Sequence, residues 1–335
     1  MSNIRTAIVC MAANENLYIR DFVKWHIAIG FTKIFIVDNS PANSEHMDFI
    51  LADYISEGYV QIIELRKTKE CNPPIFQMIV YTELYEEFHN DFDWMFFIDV
   101  DEFISFNSNI GTYKIDEFLQ REQFSNAEQI RWNWMCYGDN DKLYYNNEPV
   151  WVRFPKPMQD ISKYDWAGAY PVNGSLKTAI RCTTKGVDFI TRKTPHFPIT
   201  STMEDAIVVS PSGKPRIWYR SVGEIDYEAG WISHYRTLTI SEFLNRRLSI
   251  QALEQASGNV FTKEALLALF CVENQMNPVK KKIWDEYMTR VEKEHPEIFS
   301  SEKRDKLETT ISQEEIMTLR NDIKDVIIGK KIWEH

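Results

Sequence analysis

The sequence predicts an α/β fold: a mostly parallel sheet with flanking helices, followed by a helical C-terminal region. Two observations carry that reading. Through the first hundred residues, short apolar runs of β type alternate with stretches whose apolar residues recur at i, i+3, i+4 and i+7. From Thr239 onward the pattern is helical alone.

Thr6 to Ala13 reads as the first strand, since its apolar run is too short for a secretory leader. Asn14 stands where it could cap the next helix, whose apolar face is Ile19, Phe22, Val23, His26 and Ile27. Gly30 ends that helix. Phe31 to Val37 is a second strand closing on the turn former Asp38-Asn39-Ser40-Pro41. A polar helical stretch leads to a third strand, Tyr59 to Leu65. Pro73 and Pro74 open a helix that buries Phe76, Ile79, Val80, Leu84 and Phe88. The run from Trp94 to Ile98 is the fourth strand, and Asp99, Asp101 and Glu102 stand at its end. Phe103 and Ile104 follow to hold that loop down.

Beyond Phe106, Ile130, Trp132, Trp134 and Cys136 alternate as a half-buried strand ending at Tyr137-Gly138-Asp139-Asn140-Asp141. Residues 144 to 170 are rich in aromatics, and short strands are expected at Leu176–Arg181, Ala206–Val209, Arg216–Arg220 and Trp231–Tyr235. Thr239-Ile240-Ser241-Glu242 and Ser312-Gln313-Glu314-Glu315 are capping-box signatures. The expected division is 1–250, with halves 1–106 and 107–250, and a helical extension 251–335. Apolar rows at Ile283, Tyr287 and Val291, and at Ile316, Leu319, Ile323 and Val326, would pack on the preceding domain or on a second copy in a homodimer.

Composition narrows the function. A net charge of −11 argues against a general nucleic-acid binder, which needs a basic face for phosphates. The five cysteines are scattered and form no Cys-x-x-Cys, so structural zinc is not expected and a reducing, cytoplasmic setting is. No segment reaches the roughly 20 apolar residues of a membrane span. The ending Gly329-Lys330-Lys331-Ile332-Trp333 suits a peripheral contact with the inner membrane face.

The acidic tip is the most telling motif. Carboxylates beside a dry strand are costly unless a cation or donor array neutralises them. In open α/β sheets the C-terminal strand edge is where ligands bind. Asp-x-Asp there suits Mn²⁺ or Mg²⁺ bridging to a diphosphate, because hard cations take oxygen ligands and phosphates complete the shell. The tripeptide recurs at Asp91/Asp93 and Asp139/Asp141, but only the copy at Asp99/Asp101 follows an uninterrupted apolar strand. Gly-x-Gly-x-x-Gly is missing from the first junction, so a dinucleotide site of the usual kind is not indicated. Asn14, Glu15, Asp38 and Asn39 lie at the earlier junctions and could face a nucleotide. Asp101 is expected to ligate the metal directly, with Asp99 toward the ribose or a metal water. His234 could complete the metal shell or bond the leaving diphosphate, or be a buried histidine satisfied by backbone. His26, on the apolar helix face, is expected in the core. Tyr144, Tyr145, Tyr164 and Trp166 are candidates to stack on sugar faces. Lys177 and Arg181 either offset diphosphate charge or are solvated strand charges.

Ala13-Asn14-Glu15 before a helix with Trp25-His26, then Gly30-Phe31, Ile36-Val37-Asp38-Asn39-Ser40 and Ile98-Asp99-Val100-Asp101-Glu102-Phe103, resembles a glycosyltransferase group. Trp134 to Asp141, Lys177 to Arg181, Pro195-His196-Phe197-Pro198 and Ser233-His234-Tyr235-Arg236 continue the likeness. The group is the family-2-like and family-92-like enzymes of GT-A fold. The resemblance implies transfer of a sugar from a nucleotide diphosphate donor, UDP by family habit, to a glycan or lipid-linked glycan acceptor of a surface polysaccharide such as lipopolysaccharide or capsule. It maps the nucleoside site onto Ala13, Asn14, Glu15, Asp38, Asn39 and Asp99, and the metal site onto Asp99 and Asp101. Related enzymes invert the anomeric centre with a carboxylate base, for which Asp139, Asp141 and the Glu204-Asp205 pair are candidates. Rival readings are a catalytically silent glycan-binding module and a phosphatase of the haloacid dehalogenase kind. The second normally has Thr or Val after its Asp-x-Asp, where this chain has Glu102.

Overall fold

The computed structural model describes residues 4–44, 46–66, 75–165, 168, 171–191, 193–200, 206–217, 224–247, 262–294 and 312–329. Pro73-Pro74, Trp166, Glu204, Asp205, Arg220 and the segment Lys330–Trp333 lie outside them. The strands are β1 Thr6–Ala12, β2 Lys33–Asp38, β3 Val60–Glu64, β4 Trp94–Phe97, β5 Glu102–Phe106, β6 Gln129–Cys136, β7 Leu176–Arg181, β8 Val208–Val209 and β9 Gly230–His234. The helices are α1 Ile19–Ala28, α2 Met47–Ile50, α3 Ala52–Ser56, α4 Phe76–Phe88, α5 Ile115–Leu119, α6 Val150–Arg153, α7 Ile240–Arg247, α8 Lys263–Glu273, α9 Pro278–Glu294 and α10 Gln313–Ile327.

The chain divides into two compact units, and the division is interleaved rather than sequential. Unit 1 comprises Met1–Trp134, Gly174–Ser233 and Ile311–His335; unit 2 comprises Met135–Asn173 and His234–Thr310. The units therefore do not follow the order of the sequence. The physical reason is that strands distant in sequence pair in one sheet, so the chain leaves unit 1 and returns to it twice.

In unit 1 the sheet order is β3-β2-β1-β4-β7-β6-β9-β5, with β8 on β6. The first four strands are mutually parallel, as the strand–helix alternation implies, and β7 turns antiparallel against both β4 and β6. β1 and β4 are inaccessible on both faces, which is why their residues run apolar without alternation. β6 differs from the half-buried strand expected: seven of its eight residues are buried, because it is an interior strand covered on both faces. Of the strand expected at Arg216–Arg220 only residues 216–217 are described, and the preceding Pro215 makes an isolated bridge with Val209.

The run after Trp94 also divides differently. β4 stops at Phe97, and Phe103 and Ile104 belong to a new strand, β5, at the far end of the sheet order. The acidic tip is thus the crossing between two strands, which pin it from both sides. α1 holds β5 in place: Trp25 Nε1 donates to Ile104 O at 2.8 Å, and Ile104 N donates to His26 Nε2 at 3.2 Å. His26 Nδ1 lies 2.8 Å from Phe22 O, so His26 is the core residue expected, with its proton on Nδ1. Burial drives its pKa down to about 3, and the ring stays neutral.

The final helix, α10, packs on α4 in unit 1. Its Ile316, Ile323 and Ile327 share a core with Ile79, Val80 and Leu84, and Arg320 pairs with Glu83 at 2.5 Å. Its capping box at Ser312 and Glu315 forms as expected. Unit 2 has a separate core in which Phe243, Leu244, Phe270, Trp284 and Met288 meet. There Thr239 and Glu242 make the other capping box, and Arg153 from α6 donates to both oxygens of Glu242 at 2.9 Å.

Candidate active site at the end of the fourth strand

Parallel order places the C-terminal ends of β1, β2 and β4 on one sheet edge, with Ala12 in register with Asp38 and Val9 with Phe97. Chain direction reverses about β1, since β2 and β3 lie on one side and β4 on the other. Such a reversal leaves a crevice at the strand ends.

At that edge Asp99, Val100, Asp101 and Glu102 form a turn closed twice. Glu102 N donates to Asp99 O at 3.0 Å, and Asp99 N donates to the Glu102 carboxylate at 2.9 Å. Glu102 is buried and acts as the clasp, which leaves Val100 and Asp101 at the corner positions. Lys177 of β7, with its side chain 1% exposed, reaches Asp99 Oδ2 at 2.6 Å and Glu102 Oε2 at 3.6 Å. Gln77 of α4 donates to the other Asp99 oxygen at 3.1 Å and to Tyr81 Oη at 2.8 Å. The Asp99 side chain keeps 37% exposure.

The charges explain one another. Burial alone would raise the Asp99 carboxyl, but Lys177 holds it below the usual carboxylate value, against the repulsion of Asp101. Burial alone would lower Lys177, but Asp99 and Glu102 together raise it. Cys10 on β1 is pushed well up, by burial first and then by Asp99 and Glu15. Among the described residues one ammonium faces three carboxylates, a balance that suits a dication.

The earlier junctions are stitched together beside it. Asn39 N donates to Ala12 O at 2.8 Å and Asn14 N to Ser40 Oγ at 3.0 Å. Asn14 has φ of 56°, a left-handed conformation uncommon outside glycine, and α1 starts later with Tyr18 at its cap position. Asn14 therefore shapes the strand-end loop instead of capping the helix. Asp38 is buried, accepting Ser40 N at 2.9 Å and Arg66 at 2.8 Å. Arg66 also donates to Ser44 O at 2.9 Å, so the Asp38–Arg66 pair fastens the loop after β2. Ala13 and Glu15 are half-buried where the chain leaves β1.

His196 is half-buried, with Nδ1 2.8 Å from Leu176 O, and its field lowers Asp99. Arg181 is not a solvated charge. It donates to Ala127 O at 2.7 Å and covers the Trp94 ring, a structural clamp. His234 ends β9, buried in unit 2, where its carbonyl accepts Tyr137 N at 2.9 Å.

In unit 2 the second Asp-x-Asp is held by a lysine that the sequence reading missed. Lys280 of α9, fully buried, lies 2.7 Å from Asp139 Oδ2 and 3.0 Å from Asp141 Oδ1. Asp139 is buried and pushed up by that burial, which Lys280 partly offsets. Asp141 is 83% exposed, and both Asn140 and Asp141 have left-handed backbone at φ 48° and 61°. Lys280 continues the buried stripe of Trp284, Met288 and Val291, a charged residue on an apolar row, and that anomaly was its signal. Arg66 and Gln77 carried no comparable signal.

Among the described residues, no group of three or more His, Cys, Asp or Glu side chains could by itself hold a metal ion. A cation held largely by substrate phosphates needs only one or two carboxylates from the protein. The donor set of the tip, all oxygen and net negative, fits Mn²⁺ or Mg²⁺ on those terms.

Comparison with known proteins now decides the class. Residues 5–165 match the family model of glycosyltransferase family 92. Over that segment the chain is similar to glycosyltransferase family 92. The match contains the acidic tip, and it favours a transferase over the binding-module and phosphatase readings. It ends before Lys177, His196 and His234. None of the curated proteins matches the chain. Among solved structures, S. aureus TarS shares 10% identity over 86% of this chain and 44% of its own, at a TM-score of 0.34. S. aureus TarS 1-349 in complex with UDP-GlcNAc shares 9% over 87% and 73%, also at 0.34. Mannosyltransferase PcManGT from Pyrobaculum calidifontis, in complex with GDP-Man and Mn²⁺, shares 10% over 87% and 76%, at 0.32. The chain spans less than half the length of the first of these, and likenesses of this size carry no argument about its activity. Among the described residues, no helix is long and apolar enough to cross a membrane.

Proposed function

We propose that this glycosyltransferase moves a sugar from a nucleotide diphosphate, UDP first among candidates, to a glycan or lipid-linked glycan of a surface polysaccharide, with inversion and with a divalent cation. The carrying observation is the clasped turn Asp99–Glu102, net negative at the strand edge where the ends of β1, β2 and β4 gather.

The chain's own residues divide the work. Ala13, Asn14, Glu15 and Asn39, on the loops stitched beside the tip, would cradle the nucleoside. Asp38 would act from beneath by keeping its loop fastened to Arg66. Asp101, at the turn corner, would hold Mn²⁺ or Mg²⁺, with Asp99 fixed behind it. The cation, when bound, supplies positive charge to the diphosphate leaving group. Inversion also needs a carboxylate to take the acceptor hydroxyl proton. Of the described candidates both Asp139 and Asp141 pair with Lys280, but Asp141 is 83% exposed whereas Asp139 is buried; Asp205 lies outside the described residues. Tyr144, Tyr145 and Tyr164 are exposed enough to offer ring faces to acceptor sugars.

A thermal-shift screen of UDP, GDP, CMP and dTDP sugars, each with and without Mn²⁺, tests the reading. A ligand that binds only the folded protein raises its melting temperature by mass action. UDP conjugates with Mn²⁺ should give the largest rise, and no response to any conjugate would remove the donor assignment.

A further inference from the structure

Lys177 is an ammonium buried among the carboxylates proposed to attract a dication, and so an electrostatic competitor of that dication. Its Nζ lies 2.6 Å from Asp99 Oδ2 and 3.6 Å from Glu102 Oε2. Gln77 supplies the other Asp99 oxygen with a donor at 3.1 Å, so each Asp99 oxygen is engaged within the protein. Glu102 is committed to the Asp99 backbone at 2.9 Å. A cation arriving alone must share Asp99 with an ammonium that is 1% exposed, or leave that ammonium without its partner. Stranding a buried charge in that way is strongly unfavourable. A nucleoside diphosphate changes the balance, because its negative charge offsets both the cation and Lys177.

We propose that Lys177 is a positioning residue that couples the two ligands: with it in place, the tip takes a divalent cation weakly alone and tightly only together with a nucleoside diphosphate. The inference rests on the donor reading for the diphosphate, and goes beyond it by assigning the coupling to one buried side chain.

The test is Mn²⁺ binding, followed by the electron paramagnetic resonance signal of free Mn²⁺, with and without UDP. It compares the unaltered chain, Lys177→Met and Lys177→Gln, each checked for folding by its melting curve. In the unaltered chain UDP should tighten Mn²⁺ by about tenfold or more, within the usual range of coupling between sites. Lys177→Met should tighten Mn²⁺ alone by about fivefold and shrink the UDP effect by a similar factor. Lys177→Gln, which also removes the charge but keeps a polar group, should tighten Mn²⁺ alone in the same direction. Unchanged or weakened Mn²⁺ binding in Lys177→Met overturns the inference. So does unchanged or weakened Mn²⁺ binding in Lys177→Gln, and this second arm decides alone if Lys177→Met does not fold. Absence of Mn²⁺ binding to the unaltered chain even with UDP would overturn the donor reading and the coupling together, and is distinguishable from the other outcomes.

Discussion

Asp99 and Asp101 are two residues apart and have opposite fates, and the turn between them is the cause. Glu102 folds back on the Asp99 amide, Asp99 is drawn inward to Lys177 and Gln77, and Asp101 is left at the corner. The acidic tip itself was legible from an apolar strand ending in carboxylates. The buried lysine was only half legible, since Lys177 in β7 reads equally well as a solvated charge until β7 is known to lie beside β4. The second motif shows the same limit, because its lysine comes from 139 residues away. Asp141 carries the prediction at this scale. Asp141→Asn should lower kcat by about 10²-fold with donor binding unchanged, read by steady-state kinetics and a UDP titration. An unaffected kcat would move the base elsewhere.

Elements were read best where pattern and burial agree. β1, β2, β3 and β7 lie within two residues of expectation, and for β1 and β2 the reason is that continuous apolar runs mark interior parallel strands. β4 and β5 merged in the sequence reading because Phe103 and Ile104 look like loop anchors until β5 is seen across the sheet. The Trp25-His26 pair is the link: both side chains grip Ile104. This link sets a pH dependence. The folded-state pKa of His26, about 3, lies below the ordinary 6.5, so the unfolded chain binds the proton more readily. The contribution is intact above about pH 6.5 and is lost as pH falls toward 3, amounting to about 3 kcal/mol by pH 4. Urea melts should show that slope, and His26→Gln, which takes no proton there, should flatten it. Equal slopes in both chains would contradict the assignment.

For the whole molecule, the interleaved units are what sequence order concealed. A helical tail was legible from its period and its capping box, but its destination was not. α10 returns to unit 1, where Ile323 is fully buried against the α4 face. Ile323→Ala should therefore cost about 2–5 kcal/mol in unit 1, measured by denaturant melts. A loss under about 0.5 kcal/mol, the range of surface substitutions, would mean that the helix is peripheral.

The most direct measurement is a crystal of this chain soaked with Mn²⁺ and UDP, its anomalous difference map compared with that of an Asp101→Asn crystal. The expected result is a manganese peak beside Asp101, with the diphosphate against it, and no peak in the variant. Nucleotide bound elsewhere, or a manganese peak that survives Asp101→Asn, would contradict it.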